Sequence, residues 1–246
     1  MAGLLRTEGI VAGRASYLPA PVLEDAIGDA FSTGATAHSL ATSGLTVATF
    51  RPFVFSGWLA DSATFTSLLG SSDDTSAAVA LYDTNPRINL REMTVVGGLD
   101  ANWTLTVGAS TRAAMVAVSL SGIGSIPTPA TNNGAGAALP SCAAFGVTGG
   151  PKSLLVIDAA MIRGAHVTNP PTVPATYTLV DSVRATGSDN PSSTSHGTLI
   201  VGQKSYLHSD LAWTGDAATI PAATFGGLAD IGTVPWRTIR FVVLAA

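Results

Sequence analysis

Four histidines (His38, His166, His196 and His208), sixteen carboxylates and four tryptophans are the residues with which this chain of 246 could do chemistry. A nucleophilic triad needs a base held against a hydroxyl with a carboxylate behind the base. His208-Ser209-Asp210 supplies the three types only as chain neighbours, and neighbours on a strand point to alternate faces and do not converge. No Gly-x-Ser-x-Gly elbow, no His-Glu-x-x-His and no phosphate loop ending in Gly-Lys-Ser/Thr occurs. Gly122-Ile-Gly124 and Gly134-Ala-Gly136 lack the third glycine and the following helix that would present amides to an anion. No catalytic residue is assigned, and the expected protein is not an enzyme.

Two adjacent pairs of oxygen-bearing side chains have the chemistry of cation ligands. Asp73-Asp74, within Gly70–Ser76, and Asp189-Asn190 are hard-oxygen groups of a kind Ca²⁺ accepts, but neither has the alternating spacing of a dedicated calcium loop. Solvated turns account for both, so no metal and no cofactor is expected. Among the tryptophans, Trp103 and Trp236 sit in apolar strand patterns and read as core. Trp213 keeps polar company in Ser209-Asp-Leu-Ala-Trp-Thr-Gly-Asp216. If a glycan is bound, Trp213 with His208 and Asp210 is the expected site, the aromatic ring stacking on a sugar.

Composition narrows the class. Charged residues are 11% of the chain, against about 25% in ordinary soluble domains, and no apolar run reaches the ~18 residues of a membrane span. Net charge is −4. The nearest basic pairs, Arg87/Arg91 and Arg237/Arg240, are too sparse for a nucleic-acid footprint, so neither nucleic acid nor membrane insertion is expected. Cys142 is the sole cysteine and excludes an internal disulfide; its neighbours Ala143, Ala144 and Phe145 mark it as a small buried hydrophobe. The opening Met1-Ala-Gly-Leu-Leu-Arg has no basic-then-apolar signal peptide, so the chain is expected to be made and folded in a cytoplasm.

The elements that would position these residues are strands. Trp103, Leu105 and Val107 alternate with Thr104 and Thr106, and Tyr177, Leu179 and Val183 oppose Thr178, Ser182 and Arg184. Segments 112–121, 153–162, 198–207 and 236–244 are apolar on both faces, as expected of strands whose sandwich is covered by neighbouring molecules. Gly149-Gly150-Pro151 predicts a hairpin between 142–148 and 153–162. Residues 1–40 read differently, as an N-terminal arm punctuated by Gly and Pro. It holds one short helix over Pro21–Phe31, where Leu23, Ala26, Ile27, Ala30 and Phe31 recur at helical spacing. The expected fold is all-β: an antiparallel β-sandwich or jelly roll over 41–246, preceded by that arm.

Several segments carry a family likeness. The run Arg112-Ala-Ala-Met-Val-Ala-Val-Ser-Leu-Ser-Gly-Ile123, the strand Lys152-Ser-Leu-Leu-Val-Ile-Asp-Ala-Ala160, Tyr177-Thr-Leu-Val180 and the closing Val234-Pro-Trp-Arg-Thr-Ile-Arg-Phe-Val-Val-Leu244 resemble a β-sandwich domain of tailed-bacteriophage structural proteins. That domain occurs in head and tail appendages, and the likeness spans roughly residues 100–246. Leu45-Thr-Val-Ala-Thr-Phe-Arg-Pro-Phe53 is similar instead to the opening of a laminin-G-like lectin jelly roll. The resemblance implies a virion protein with other virion structural proteins as partners, a homo-oligomer such as the trimer common among phage appendages or a single decoration subunit on a capsid lattice. Its alternative implication is a carbohydrate-binding module that adsorbs to host-surface glycans.

Overall fold

The computed structural model describes residues 18–47, 50–60, 62–134, 138–164, 170–186, 196–227 and 235–246. Six strands form a first sheet: β1 (Val22–Ala41), β2 (Arg51–Trp58), β3 (Phe65–Gly70), β4 (Thr75–Tyr82), β5 (Arg87–Thr94) and β6 (Asn102–Ser121). Their order is β1-β6-β2-β5-β4, with β3 also on β6, and every pairing is antiparallel. The rest of the chain supplies β7 (Ile123–Ser125), β8 (Ala130–Gly134), β9 (Ser141–Cys142), β10 (Phe145–Thr148), β11 (Leu154–Arg163), β12 (Thr178–Ala185) and β13 (Gly197–Tyr206). After them come a single 3₁₀ turn at His208–Asp210, then β14 (Ala217–Ile220), β15 (Ala223–Thr224) and β16 (Trp236–Ala245). The second sheet runs β12-β13-β11-β16-β7, with β8 also on β16, while β10–β14 and β9–β15 form two short ribbons.

Alternation along the strands builds the layers. Phe53 and Phe55 of β2, Ile88 and Leu90 of β5 and Val116 and Val118 of β6 face Ile157, Leu199 and Phe241 of the second sheet in one buried cluster. The Phe241 ring sits 4.8 Å from Phe53 and 6.4 Å from Phe55, centroid to centroid. This is the inter-sheet core of a β-sandwich.

Strands apolar on both faces have an internal cause here. β1 and β6 are 20 residues long, and their register shifts between Phe31 and Ala37. Past that break, Leu40, Leu68, Trp103 and Leu105 share one cluster with Val54, Trp58 and Met115 from the outer face of the first sheet. The sheet therefore folds over its own back. On the second sheet, the β10–β14 ribbon covers Leu154, Val156 and Val242, and Cys142 with Phe225 covers Ile162, Ile200 and Trp236. The covering that the sequence suggested from neighbouring molecules is supplied by the chain itself.

Three local expectations are corrected. Residues Val22–Phe31 are strand, not helix, and pair with Ala113–Ser121 of β6. Gly28 and the shortness of the segment disfavour a free helix, whereas β6 offers a ladder. Its side chains find both cores, Leu23 and Ala26 on the inter-sheet cluster and Ile27 and Phe31 on the outer one. A Cβ on Gly28 would run into the Asp181 carboxylate, so glycine also lets β1 approach β12. Residues 22–41 thus belong to the sheet, and residues 1–17 lie outside the described residues. Finally, Gly149 and Gly150 do turn the chain at positive φ, but β10 pairs with β14 instead of β11. Both edges of β11 are taken by β13 and β16.

Phe241→Ala removes the ring that both Phe53 and Phe55 touch. A loss of about 3–5 kcal/mol of unfolding free energy is expected in denaturant titration; less than about 1 kcal/mol would mean that the two sheets do not meet there.

Candidate functional site

The most elaborate polar constellation lies on the outer face of the second sheet. Asp158 and Arg240 are register partners on β11 and β16, with side chains 0% and 1% exposed. Arg240 Nε donates to Asp158 Oδ1 at 2.9 Å and an Nη donates to Oδ2 at 2.7 Å. The other Nη donates to the carbonyls of Ala143 (2.8 Å) and Pro221 (2.7 Å), and Tyr177 Oη lies 3.3 Å from the guanidinium. Those two carbonyls belong to the segments that follow β9 and β14, so one guanidinium ties both covering ribbons to the sheet beneath.

Burial alone would lower the Arg240 pKa, but the hydrogen bonds and charge of Asp158 outweigh it and raise it. Burial, reinforced by Asp158, pushes the Tyr177 hydroxyl and the Cys142 thiol well up. Cys142 is therefore a protonated hydrophobe under ordinary conditions. Every oxygen of the carboxylate and every arm of the guanidinium is engaged, which leaves nothing to transfer a proton or hold a substrate. The pair is structural. Arg240→Met alone strands a buried carboxylate, and a destabilisation of about 3–5 kcal/mol is expected. The double change Asp158→Leu/Arg240→Met should recover most of it in the same urea titration. A double variant as weak as the single would refute the stranded-charge account.

A second constellation ties the β3–β4 turn to the segment before β6. Asp100 Oδ2 accepts the backbone N–H groups of Ser72 (2.9 Å), Asp73 (3.0 Å) and Asp74 (2.9 Å). Asp74 answers by accepting from the Val96 and Asp100 amides (both 3.0 Å) and from the Trp103 indole N–H (2.9 Å). Asp74 is buried, not a solvated turn residue, whereas Asp73 is exposed. A Cβ on Gly70 would strike the Asp100 carboxylate, so glycine is required at the turn. Asp189 and Asn190 lie outside the described residues. Among the described residues no group of three or more His, Cys, Asp or Glu could hold a metal ion.

The expected glycan residues cluster, but their polar groups are spent locally. His208 and Asp210 form the 3₁₀ turn. Asp210 accepts the Leu207 N–H (2.8 Å), and the Trp213 indole N–H donates to the His208 carbonyl (2.9 Å). Trp213 is half-buried against the apolar cluster beneath the β10–β14 ribbon. A shallow hollow of about 560 Å³ beside it is lined by Gly146, Thr148, Ala212, Thr214 and Thr219. A wider cleft of about 890 Å³ opens elsewhere, between residues 45–47 and 50–52 on one side and 92–99 on the other. Arg51 and Glu92 line it and are ion-paired at 2.6 Å. Trp103 and Trp236 are core residues, as their patterns indicate, and Trp58, which the sequence reading left unassigned, is fully buried as well.

The histidines are dispersed. His38 packs its ring 5.1 Å from Phe31 at the β1 register break, and His196 is buried just before β13. Among the described residues, Nε2 of His38 and both ring nitrogens of His196 have no hydrogen-bond partner. His166 lies outside the described residues.

Comparison with known proteins finds no matching family model, curated protein or solved structure. The class is therefore defined by the coordinates: an all-β, antiparallel two-sheet sandwich whose outer faces are covered by its own chain. No helix among the described residues is long and apolar enough to cross a membrane.

Two pH windows follow. Burial lowers the pKa of His38, with the Ala35 and Thr111 backbone acting against it, and burial followed by Arg184 and Arg112 lowers that of His196. The unfolded chain then binds these protons first, so stability is complete above the ordinary value of 6.5 and falls as pH drops below it. The amides of Asp74, Ser72 and Asp73 hold the Asp100 carboxylate below its ordinary 3.8. Its contribution is present above that value and lost on further acidification through the folded-state pKa. Thermal midpoints against pH should show both declines. His38→Asn/His196→Asn should flatten only the first and Asp100→Asn only the second, with Trp103 fluorescence reporting the latter; two unchanged profiles would contradict the assignments.

Proposed function

We propose that this chain is a non-enzymatic structural subunit of a tailed-bacteriophage particle, a β-sandwich appendage or decoration protein of the head or tail. The observation that carries this reading is where the charges lie. Charged residues are 11% of the chain, and Asp74, Arg87, Asp100, Asp158 and Arg240 are buried. Leu18, Val96, Leu179 and Leu207 are meanwhile 50–55% exposed. A surface this poor in charge suits a protein whose exposed apolar side chains are covered by other subunits. The phage context comes from the resemblance over residues 100–246. Its partners are sister copies and other virion proteins, and its location is the virion.

Anchoring falls to the residues ahead of β1, since residues 22–41 are held in the sheet by β6. Gold-labelled antibody against the chain should decorate particles purified from producing cells. A variant lacking residues 1–17 should keep its thermal midpoint yet be absent from particles. Particles without the full-length chain would overturn the reading, and normal incorporation of the truncated chain would remove the anchoring role.

One observation favours a second reading, adsorption to a host glycan: Trp213 stays part-exposed beside His208 and Asp210. A glycan array should then give a signal with the native protein that Trp213→Ala abolishes. A blank array, or one indifferent to that change, rejects this site.

A further inference from the structure

The free edges of the sandwich are not equivalent. Along one side β1 and β12 lie against each other, and they carry Glu24, Asp25, Asp29, Asp181 and Arg184. The Thr186 amide donates to Ser32 Oγ at 3.0 Å across that side. On the other side of the second sheet, β8 is five residues long, follows Pro127 and Pro129, and has its Asn132 amide turned to the Ser141 carbonyl. Of the other edges in the first sheet, β3 pairs with β6 alone and has its Leu68 carbonyl capped by the Ser76 hydroxyl, and β4, Thr75-Ser-Ala-Ala-Val-Ala-Leu-Tyr82, holds neither a charge nor a proline. β4 pairs with β5 alone. Arg91 caps the Ser76 carbonyl at 3.0 Å, and among the described residues the backbone of 77–82 makes no hydrogen bond outside the β5 ladder. Val79, Ala80 and Tyr82 pack on the inter-sheet core and hold the strand in place, while Leu81 is 44% exposed. Natural sheets guard such edges with lysine, proline or bulges. Among the described residues, β4 has a register shift between Ala78 and Ala80, and β8 of the second sheet lies near it.

We propose that β4 docks a second copy of this chain, edge to edge and antiparallel about a local twofold, so that two first sheets become one continuous sheet. The occupant is argued from charge. Each copy carries −4, so apposition of acidic surface costs energy, whereas β4 meets its own image without like charges. The flanking carboxylates are already committed within their own subunit, Asp83 to Arg87 at 2.8 Å and Asp74 to the Asp100 clamp. A twofold between Ala78 and Val79 sets Ala77 opposite Ala80 and Ser76 opposite Leu81, and the alanines at the centre let the backbones reach the ladder spacing of about 4.8 Å. Such an isologous contact closes on itself and does not propagate into fibres. The symmetry is twofold, in place of the threefold common among phage appendages. The inference deepens the assembly reading and rests on it for its biological sense, but the contact is testable on the purified chain.

Sedimentation velocity over a concentration series should show a monomer–dimer equilibrium, with amide exchange at 77–82 slowing as the dimer fills. Ala77→Lys places its charge across from Glu92 on β5, which favours the lone subunit, and should weaken the dimer by roughly tenfold or more without lowering the thermal midpoint measured at concentrations where both chains are monomeric. Leu81→Lys should do the same, and Ser182→Lys on the opposite side should leave the dimer intact. A native chain that is monomeric throughout, or a dimer indifferent to both β4 lysines, overturns the proposal. If particles contain the chain while its dimer ignores Ala77→Lys, the β4 contact alone fails. A β4 dimer found in no particle fails the assembly reading alone.

Discussion

Asp158 and Arg240 form a fully buried, bidentate ion pair in the middle of a face that is otherwise apolar, and the architecture of the second sheet follows from it. Two charges removed from water are costly unless each hydrogen-bonding position is filled. The sheet alone fills only those between the pair. The rest are met by carbonyls of Ala143 and Pro221, each from a different covering ribbon. The pair thus works as a selector: the ribbons that complete it are the ones that also seal the apolar clusters on either side of it. Apolar contact is non-directional, and the guanidinium fork supplies the direction.

The first sheet solves the same covering problem without a buried ion pair. It uses length, two 20-residue strands that break register and carry Trp103, Leu105 and Leu40 back over β2. The Asp74–Asp100 clamp then fixes the turn and the strand entrance at the end of this folded-over half, and Trp103 joins clamp to core through its indole N–H. Both sheets end up closed front and back. What remains open is lateral, and the β1–β12 side is occupied by charges and cross-bonds. The uncharged β4 edge is the exception, which is why the assembly reading and the docking inference meet at the same strand.

Strand alternation made much of this legible. Trp103, Leu105 and Val107 on one face, and the two-faced apolar runs of β11 and β16, state their burial outright. The helix over Pro21–Phe31 was misleading because Leu23, Ala26, Ile27 and Phe31 satisfy helical spacing and also serve two different cores from a strand. Asp158 stands in the sequence as a charge inside an apolar run and Arg240 as one of the basic pair Arg237/Arg240, and nothing local says that Asp158 and Arg240 face each other. Asp74 and Asp100 lie 26 residues apart, and short-range turn preferences could only read the first of them as solvated. Of the expected glycan residues, proximity was legible because all three share one short segment; the engagement of their polar groups was not.

The sequence by itself determined the class of secondary structure, the scarcity of charge and the burial of Trp103 and Trp236, because these depend on side-chain type and a period of two. Tertiary structure decided which strands pair, that the chain covers its own outer faces, and which charges are buried as clamps. Those outcomes depend on register between distant segments, where the competition is among ladders of nearly equal local merit. β10 chose β14 over the adjacent β11 for that reason: β11 was already bonded on both edges.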